Sequence, residues 1–73
     1  MKEEFKIRTM GFGELAQMYN PSIELNSARA LLRHWIKKHP SLGKQLIKSG
    51  YVKGQRILTP KQVEMIVLNL GDP

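Results

Sequence analysis

The sequence predicts a small, mostly α-helical domain of about four helices, with a short β-hairpin as a minor β element. Apolar residues recur at helical spacing in four separate segments, and a glycine or proline stands at the end of each segment. The chain has 73 residues, 41% of them hydrophobic, which is enough to build one small core. We therefore expect residues 1–73 to form a single domain.

The first part of the chain is predicted to contain a strand and a helix. Residues 5–9 alternate apolar and polar side chains, as a short β-strand does. One face of a helix is then formed by residues spaced three or four apart: Phe12, Leu15, Ala16 and Tyr19. Pro21 cannot continue that helix, so we expect it to span 12–19.

The second helix is predicted to begin at a cap formed by Asn26 or Ser27 and to end near His39, before Pro40. Its apolar stripe consists of Ala28, Leu31, Leu32, Trp35 and Ile36. A separate row of cations, each one turn from the next, consists of Arg29, Arg33 and Lys37, with Lys38 beside it. The helix is therefore expected to bury one face and to expose a basic one.

A third, short helix is predicted to start at Ser41 as its cap and to stop at Gly50. Its apolar residues are Leu42, Leu46 and Ile47, and its cations, one turn apart, are Lys44 and Lys48. Next, β-forming residues flank Lys53-Gly54, so a hairpin between Val52 and Ile57-Leu58 is expected.

The last helix has the strongest boundary signals. Thr59 is a suitable N-cap, Pro60 fits the first helical position, and Gln62 completes a capping box. Gly71 is expected to end the helix. Its apolar positions are Val63, Met65, Ile66, Val67, Leu68 and Leu70.

Charge is distributed unevenly along the chain. There are 12 Lys and Arg residues against 6 Asp and Glu, a net charge of +6. No acidic residue lies between Leu25 and Val63, a segment whose basic residues are Arg29, Arg33, Lys37, Lys38, Lys44, Lys48, Lys53, Arg56 and Lys61. Because a strong field of one sign attracts a polyanion, nucleic acid is the favoured partner. The alternative is a basic surface that serves solubility alone.

Two consecutive helices, the second with a basic outer row, indicate a helix-turn-helix, whose second helix enters the major groove of duplex DNA. The cations expected to line the groove are Arg29, Arg33, Lys37 and Lys38. Arginine suits this role because its guanidinium can bind guanine O6 and N7 together. The side chains expected at the DNA backbone are Lys44 and Lys48 at phosphates, with Lys53 and Arg56 beside Gln55 as a basic wing.

Two aromatic side chains raise the alternative of stacking on single-stranded nucleic acid. Trp35 belongs to an apolar stripe, so core packing is the favoured interpretation. Tyr51, next to Gly50, has no such stripe, and its role stays open. The sequence lacks the β content of aromatic RNA-binding sheets. Whether the basic face binds DNA, RNA or neither is left open, with duplex DNA favoured.

Catalysis and metal binding find little support. There is no cysteine, and His34 and His39, five residues apart, do not share a helix face. No phosphate loop ending in Gly-Lys-Ser is present, and the basic middle has no carboxylate pair. We expect a non-enzymatic protein without a metal or cofactor. No long apolar stretch follows residues 1–4 as in a secretory signal, and none approaches the length of a membrane span, so a soluble cytoplasmic protein is expected.

Three segments resemble the MerR and excisionase-like winged helix-turn-helix domains. Phe12–Ala16 is similar to their opening helix, Ala30–Trp35 to their second helix, and Arg56–Pro60 to the junction of wing and last helix. Nearly the whole chain resembles short Bacteroides-type proteins described only as a domain of unknown function, in segments 6–9, 13–16, 32–37 and 59–60. The winged-helix resemblance implies a transcriptional regulator or an excisionase-like architectural factor rather than a ligand sensor, whereas the resemblance to the domain of unknown function implies no activity.

The last helix suggests a rival class of function. Met65 and Leu68 widen its apolar stripe beyond what one small core requires. An exposed apolar strip there would serve a homodimer or a protein partner. The alternative function is therefore a protein-interaction module, such as a phage or mobile-element accessory protein.

Overall fold

The computed structural model describes residues 5–73 and contains four helices with a two-stranded antiparallel β element. The predicted fold class, mostly α with a minor β element, is confirmed. The helices are α1 (Phe12–Tyr19), α2 (Leu25–Lys38), α3 (Pro40–Lys48) and α4 (Pro60–Leu70), and the strands are β1 (Met10–Gly11) and β2 (Ile57–Leu58). Residues 1–4, on which the expectation of no secretory signal rested in part, lie outside the described range.

The β element joins segments that are far apart in the sequence. Met10 pairs with Leu58 and Gly11 with Ile57, and the Phe12 N–H continues the pairing by donating to the Arg56 carbonyl at 2.7 Å. The strand predicted at 5–9 is wrong, because that alternating segment has no neighbouring strand and the pairing begins only at Met10.

The turn at Lys53-Gly54 is present, but it does not pair Val52 with β2. The Gln55 N–H donates to the Val52 carbonyl at 3.0 Å, and Gly54 adopts a φ of 85°, which a side chain would disfavour. The Val52 N–H donates to Gln55 Oε1 at 3.2 Å, so it does not take part in β-sheet pairing. The hairpin location predicted from β propensity is therefore corrected.

Two helix caps differ from those predicted. At the start of α2, Glu24 replaces Asn26 and Ser27 as the cap, because its carboxylate reaches forward to accept from both of their backbone N–H groups at 2.6 and 3.3 Å. At α3 the cap is His39, whose Nδ1 accepts from the Leu42 N–H at 3.3 Å. In both cases a side-chain acceptor, a carboxylate or an imidazole, hydrogen-bonds to unpaired backbone N–H groups in the first turn of the helix, as the more common capping residues do.

Pro40 begins α3 rather than only ending α2. Its fixed φ suits the first helical position, where the missing N–H costs nothing. As a result a single residue, His39, separates α2 from α3. The predicted stop at Gly50 is correct, and it takes the form of a Schellman motif. The Gly50 N–H donates to the Ile47 carbonyl and the Tyr51 N–H to the Leu46 carbonyl.

The core gathers one face from each helix and one side chain from each strand. Its buried apolar residues are Met10, Phe12, Leu15, Ala16, Ala28, Leu32, Leu42, Leu46, Leu58, Val63, Ile66 and Val67. Tyr19 and Trp35 pack against this core edge to face, with ring centroids 5.8 Å apart. The Tyr19 hydroxyl donates to the Gly71 carbonyl at 2.5 Å, which ties the end of α1 to the end of α4. Burial raises the pKa of Tyr19 to about 12.

Gln62 is a buried polar residue at the centre of a hydrogen-bond network. Its Oε1 accepts from the Thr59 N–H at 3.0 Å, as the predicted capping box requires, and also from Gln55 Nε2 at 2.7 Å. Its own Nε2 donates to Ser49 Oγ at 3.3 Å. One side chain thus holds together the end of α3, the turn before β2 and the start of α4.

Candidate nucleic-acid interface

The second helix exposes most of its predicted cations. Arg33 and Lys37 lie one turn apart on the solvent side of α2, and Lys38 is exposed at its last position. Ala28 and Leu32 turn the opposite side of the helix into the core. The amphipathic character predicted from spacing therefore places Arg33 and Lys37 where a large partner could reach them.

Arg29 differs from the rest of its row. Its side chain is half-buried and its aliphatic carbons lie against α1, where a β-carbon on Gly13 would come within 3.4 Å of the Arg29 Cδ. Its Nε is buried and finds no hydrogen-bond partner among residues 5–73. Arg29 therefore contributes to the packing of α1 on α2, and only part of the side chain is accessible.

The third helix adds exposed cations beside the second. Lys44 and Lys48 lie one turn apart on its solvent side, while Leu42 and Leu46 are buried. Ile47, predicted as one of the apolar residues of this helix, is 71% exposed. Helical rotation of about 100° per residue explains this, because the position after Leu46 turns away from the face shared by Leu42 and Leu46.

The segment between α3 and β2 carries the residues expected to form a wing. Lys53 and Arg56 are exposed. Gln55 is half-buried, and its Nε2 donates to the Ile57 carbonyl at 2.7 Å as well as to Gln62. The predicted wing cations are therefore accessible, whereas Gln55 has a structural role that the sequence interpretation missed. The only signal for this role in the sequence was Gln62, the capping-box residue of α4, whose side chain accepts from Gln55.

These cations pair with none of the carboxylates in the described part of the chain. Across residues 5–73 the structure contains one ion pair, between Arg8 and Glu14 at 2.8 Å, and it lies outside the acid-free segment. The Arg8 hydrogen bond lowers the pKa of Glu14 below its usual range, and the Gly11 N–H adds to this effect. As far as the described residues go, the exposed cations from Arg33 to Arg56 are available to neutralise an external anion.

Tyr51 follows the end of α3, and its N–H donates to the Leu46 carbonyl at 3.0 Å. Burial raises the pKa of Tyr51, and the positive charge of Arg33 partly opposes that rise. Tyr51 and Trp35 are both half-buried against the core, and Trp35 packs edge to face on Tyr19, which favours packing over stacking on bases as the role of these rings.

The residues proposed for a protein partner fall into three groups by their exposure. Val63, Ile66 and Val67 belong to the core, and Met65 and Leu70 are half-buried. Leu68 is 77% exposed on the outer side of α4. An apolar contact on this helix would therefore depend on Leu68, with the edge of Met65.

Other kinds of site find no geometric basis in the part of the chain described. No three His, Asp or Glu side chains of residues 5–73 converge as metal ligands. Within the same range, none of the helices combines the length and the apolar character that crossing a bilayer demands.

Fold and surface together define a small, mostly α-helical domain whose second and third helices expose cations with no acidic partner among residues 5–73. The chain belongs to the family described as a domain of unknown function (DUF4248), whose model matches residues 6–73. No curated protein and no solved structure matches it.

Proposed function

We propose that this protein is a non-enzymatic DNA-binding protein that uses the cations of α2, α3 and the segment before β2. One observation carries the proposal. The exposed cations of residues 33–56 have no carboxylate partner among the described residues, in a segment that contains no Asp or Glu. Such a surface attracts a polyanion. Binding to DNA is favoured because the protein cations neutralise phosphates and release the counterions condensed on them.

The proposed roles follow from side-chain chemistry and exposure. Arg33 is the residue best suited to read a base, because its planar guanidinium can bind guanine bidentately. The phosphate contacts are Lys37, Lys38, Lys44, Lys48, Lys53 and Arg56. Arg29 supports the interface from within the α1–α2 contact and contributes less to DNA directly.

The resemblance of segments 12–16, 30–35 and 56–60 to MerR and excisionase-like domains agrees with this proposal. We infer a cytoplasmic transcriptional regulator or architectural factor. A small module recognises few base pairs alone, so binding next to a second protein or a second copy fits the size of this chain.

The proposal predicts a strong dependence of DNA affinity on salt. If five phosphates are neutralised, log K falls against log salt with a slope of about −4.5. Fluorescence anisotropy of a labelled duplex, recorded over about 50 to 300 mM salt, measures the slope. Affinity that is independent of salt, or no binding at the lowest salt, would contradict the proposal. Single-stranded RNA of equal length, titrated in parallel, separates duplex binding from a general affinity for polyanions.

Leu68 favours a second candidate function, that of a protein-interaction module. At 77% exposure it is the most exposed of the large apolar residues described, and it lies on α4, away from the buried face of that helix. We infer that it would anchor a homodimer or a heterologous partner. Sedimentation analysis over a concentration series tests the dimer: Leu68→Glu should shift a dimer to monomer, and a wild-type monomer at all concentrations excludes self-association.

A further inference from the structure

An isoleucine is exposed among the cations of the proposed interface. Ile47 lies in the last turn of α3, and 71% of its surface is accessible to solvent. The other exposed residues of this helix are Pro40, Ser41, Lys44, Gln45 and Lys48. A partner that covered this side chain would gain about 25 cal/mol for each Å² of apolar surface removed from water.

Ile47 lies on a helix that exposes cations and that directly follows another such helix. Gly43, one turn before Ile47, faces α2, because a β-carbon there would lie 3.9 Å from the Ile36 carbonyl oxygen. Ile47 is one turn further along that side of α3, and Lys44 and Lys48 are neighbouring positions on the same helix. The exposed cations of α2 lie on the helix that a single residue separates from α3.

The charges around Ile47 identify the partner that would cover it. A protein surface that buried this side chain would have to supply several acidic groups around one apolar contact. Duplex DNA supplies both chemistries together, since phosphates line its major groove and the 5-methyl group of thymine is the apolar feature of the groove floor. Apolar side chains recognise thymine through that methyl group.

The dimensions of α3 fit the same partner. An α-helix with its side chains is about 10 to 12 Å across and fits a major groove about 12 Å wide, and the nine residues of α3 would extend about 13 Å along it. The single residue between α2 and α3 and the packing of Leu42 and Leu46 in the core hold α3 firmly on the domain. A rigid helix positions its side chains without an ordering cost on binding.

We propose that Ile47 contacts the 5-methyl group of thymine in the major groove, while Lys44 and Lys48 hold phosphates beside it. The proposal rests on the proposed DNA-binding function and deepens it, because it assigns base contact to α3 as well as to α2. It gives the protein a preference for thymine-containing duplexes that cations alone do not produce.

The test removes each partner of the contact separately. One duplex of alternating A·T base pairs offers a thymine methyl at every step, so no binding site needs to be known. A second duplex carries deoxyuridine at every thymine position and lacks only the methyl groups. Wild-type protein should bind the methyl-free duplex about threefold to fourfold more weakly, the effect of exposing one buried methyl group.

Ile47→Ala should bind the thymine duplex more weakly by a similar or larger factor and should not distinguish the two duplexes. The matched control is Ile7→Ala, the same substitution at an exposed isoleucine in the segment before β1, outside both proposed interfaces, and it should retain the wild-type preference for thymine. Circular dichroism spectra confirm that both variants are folded.

Each outcome decides the proposal. Equal binding of wild type to both duplexes overturns the methyl contact, even if Ile47→Ala binds poorly, because that pattern indicates insertion between bases instead. A preference for thymine that survives in Ile47→Ala also overturns it. Absence of binding to either duplex at low salt overturns both this proposal and the DNA-binding function, whereas salt-dependent binding without a methyl effect overturns this proposal alone.

Discussion

Replacing Gln62 with alanine is expected to lower the free energy of unfolding by about 2 to 4 kcal/mol. The substitution leaves the Thr59 N–H, Gln55 Nε2 and Ser49 Oγ without their buried partner and opens a cavity between α3 and α4. In a domain of this size each kcal/mol shifts the melting temperature by about 4 to 8 °C. Thermal unfolding followed by circular dichroism should therefore show a fall of roughly 8 to 32 °C.

Two further variants identify the cause of that loss. Gln62→Met keeps most of the side-chain volume but removes the polar atoms, so it should recover only the part of the loss that comes from packing. Gln45→Ala, a control on the exposed side of α3, should change stability by less than about 0.5 kcal/mol. If Gln62→Ala melted within a few degrees of the wild type, Gln62 would not hold the three segments together.

Removing two exposed cations from α2 is expected to weaken DNA binding strongly. Arg33→Ala/Lys37→Ala deletes two cations of the proposed interface, and each cation that displaces a counterion from the DNA contributes about 0.9 to the salt exponent. The loss should be about 200-fold at 50 mM salt and roughly 30-fold at 150 mM. Arg29 is left unchanged, because its packing against α1 would mix a stability effect with a binding effect.

The control for this prediction removes the same net charge elsewhere. Lys6→Ala/Lys61→Ala deletes exposed cations from the segment before β1 and from α4. It should reduce affinity by a much smaller factor, because distant charges act only through the screened field of the protein. Equal losses in the two double variants would show that net charge, rather than a defined surface, determines binding.

The helices could be predicted because their signals are local. The bounds of α1 are those expected, and α4 has the expected Thr59 cap, Gln62 capping box and Gly71 end. Both the apolar spacing and the caps are patterns among residues a few positions apart. The strand pairing could not be predicted in this way. Met10 pairs with Leu58 because α1, α2 and α3 bring their segments together, and no local pattern encodes that meeting.

Of the site, only the exposed cations could be predicted, because the distribution of charge along the chain is the signal that the sequence carries for them. The absence of acids in the middle of the chain predicted exposed cations, and Arg33, Lys37, Lys44 and Lys48 are indeed exposed. Tertiary contacts determine the remaining cases. Arg29 is half-buried against Gly13, and Gln55 turns inward to Gln62, although neither contact has a signature at its own position in the sequence.

A backbone amide NMR titration of the ¹⁵N-labelled protein with duplex DNA at low salt tests the central claim most directly. The account predicts chemical-shift changes concentrated at the solvent side of α2 and α3 and in residues 53–56, including Arg33, Lys37, Lys44 and Lys48, with the outer side of α4 around Leu68 unchanged. Changes confined to α4, or a spectrum that does not respond to DNA, would contradict it.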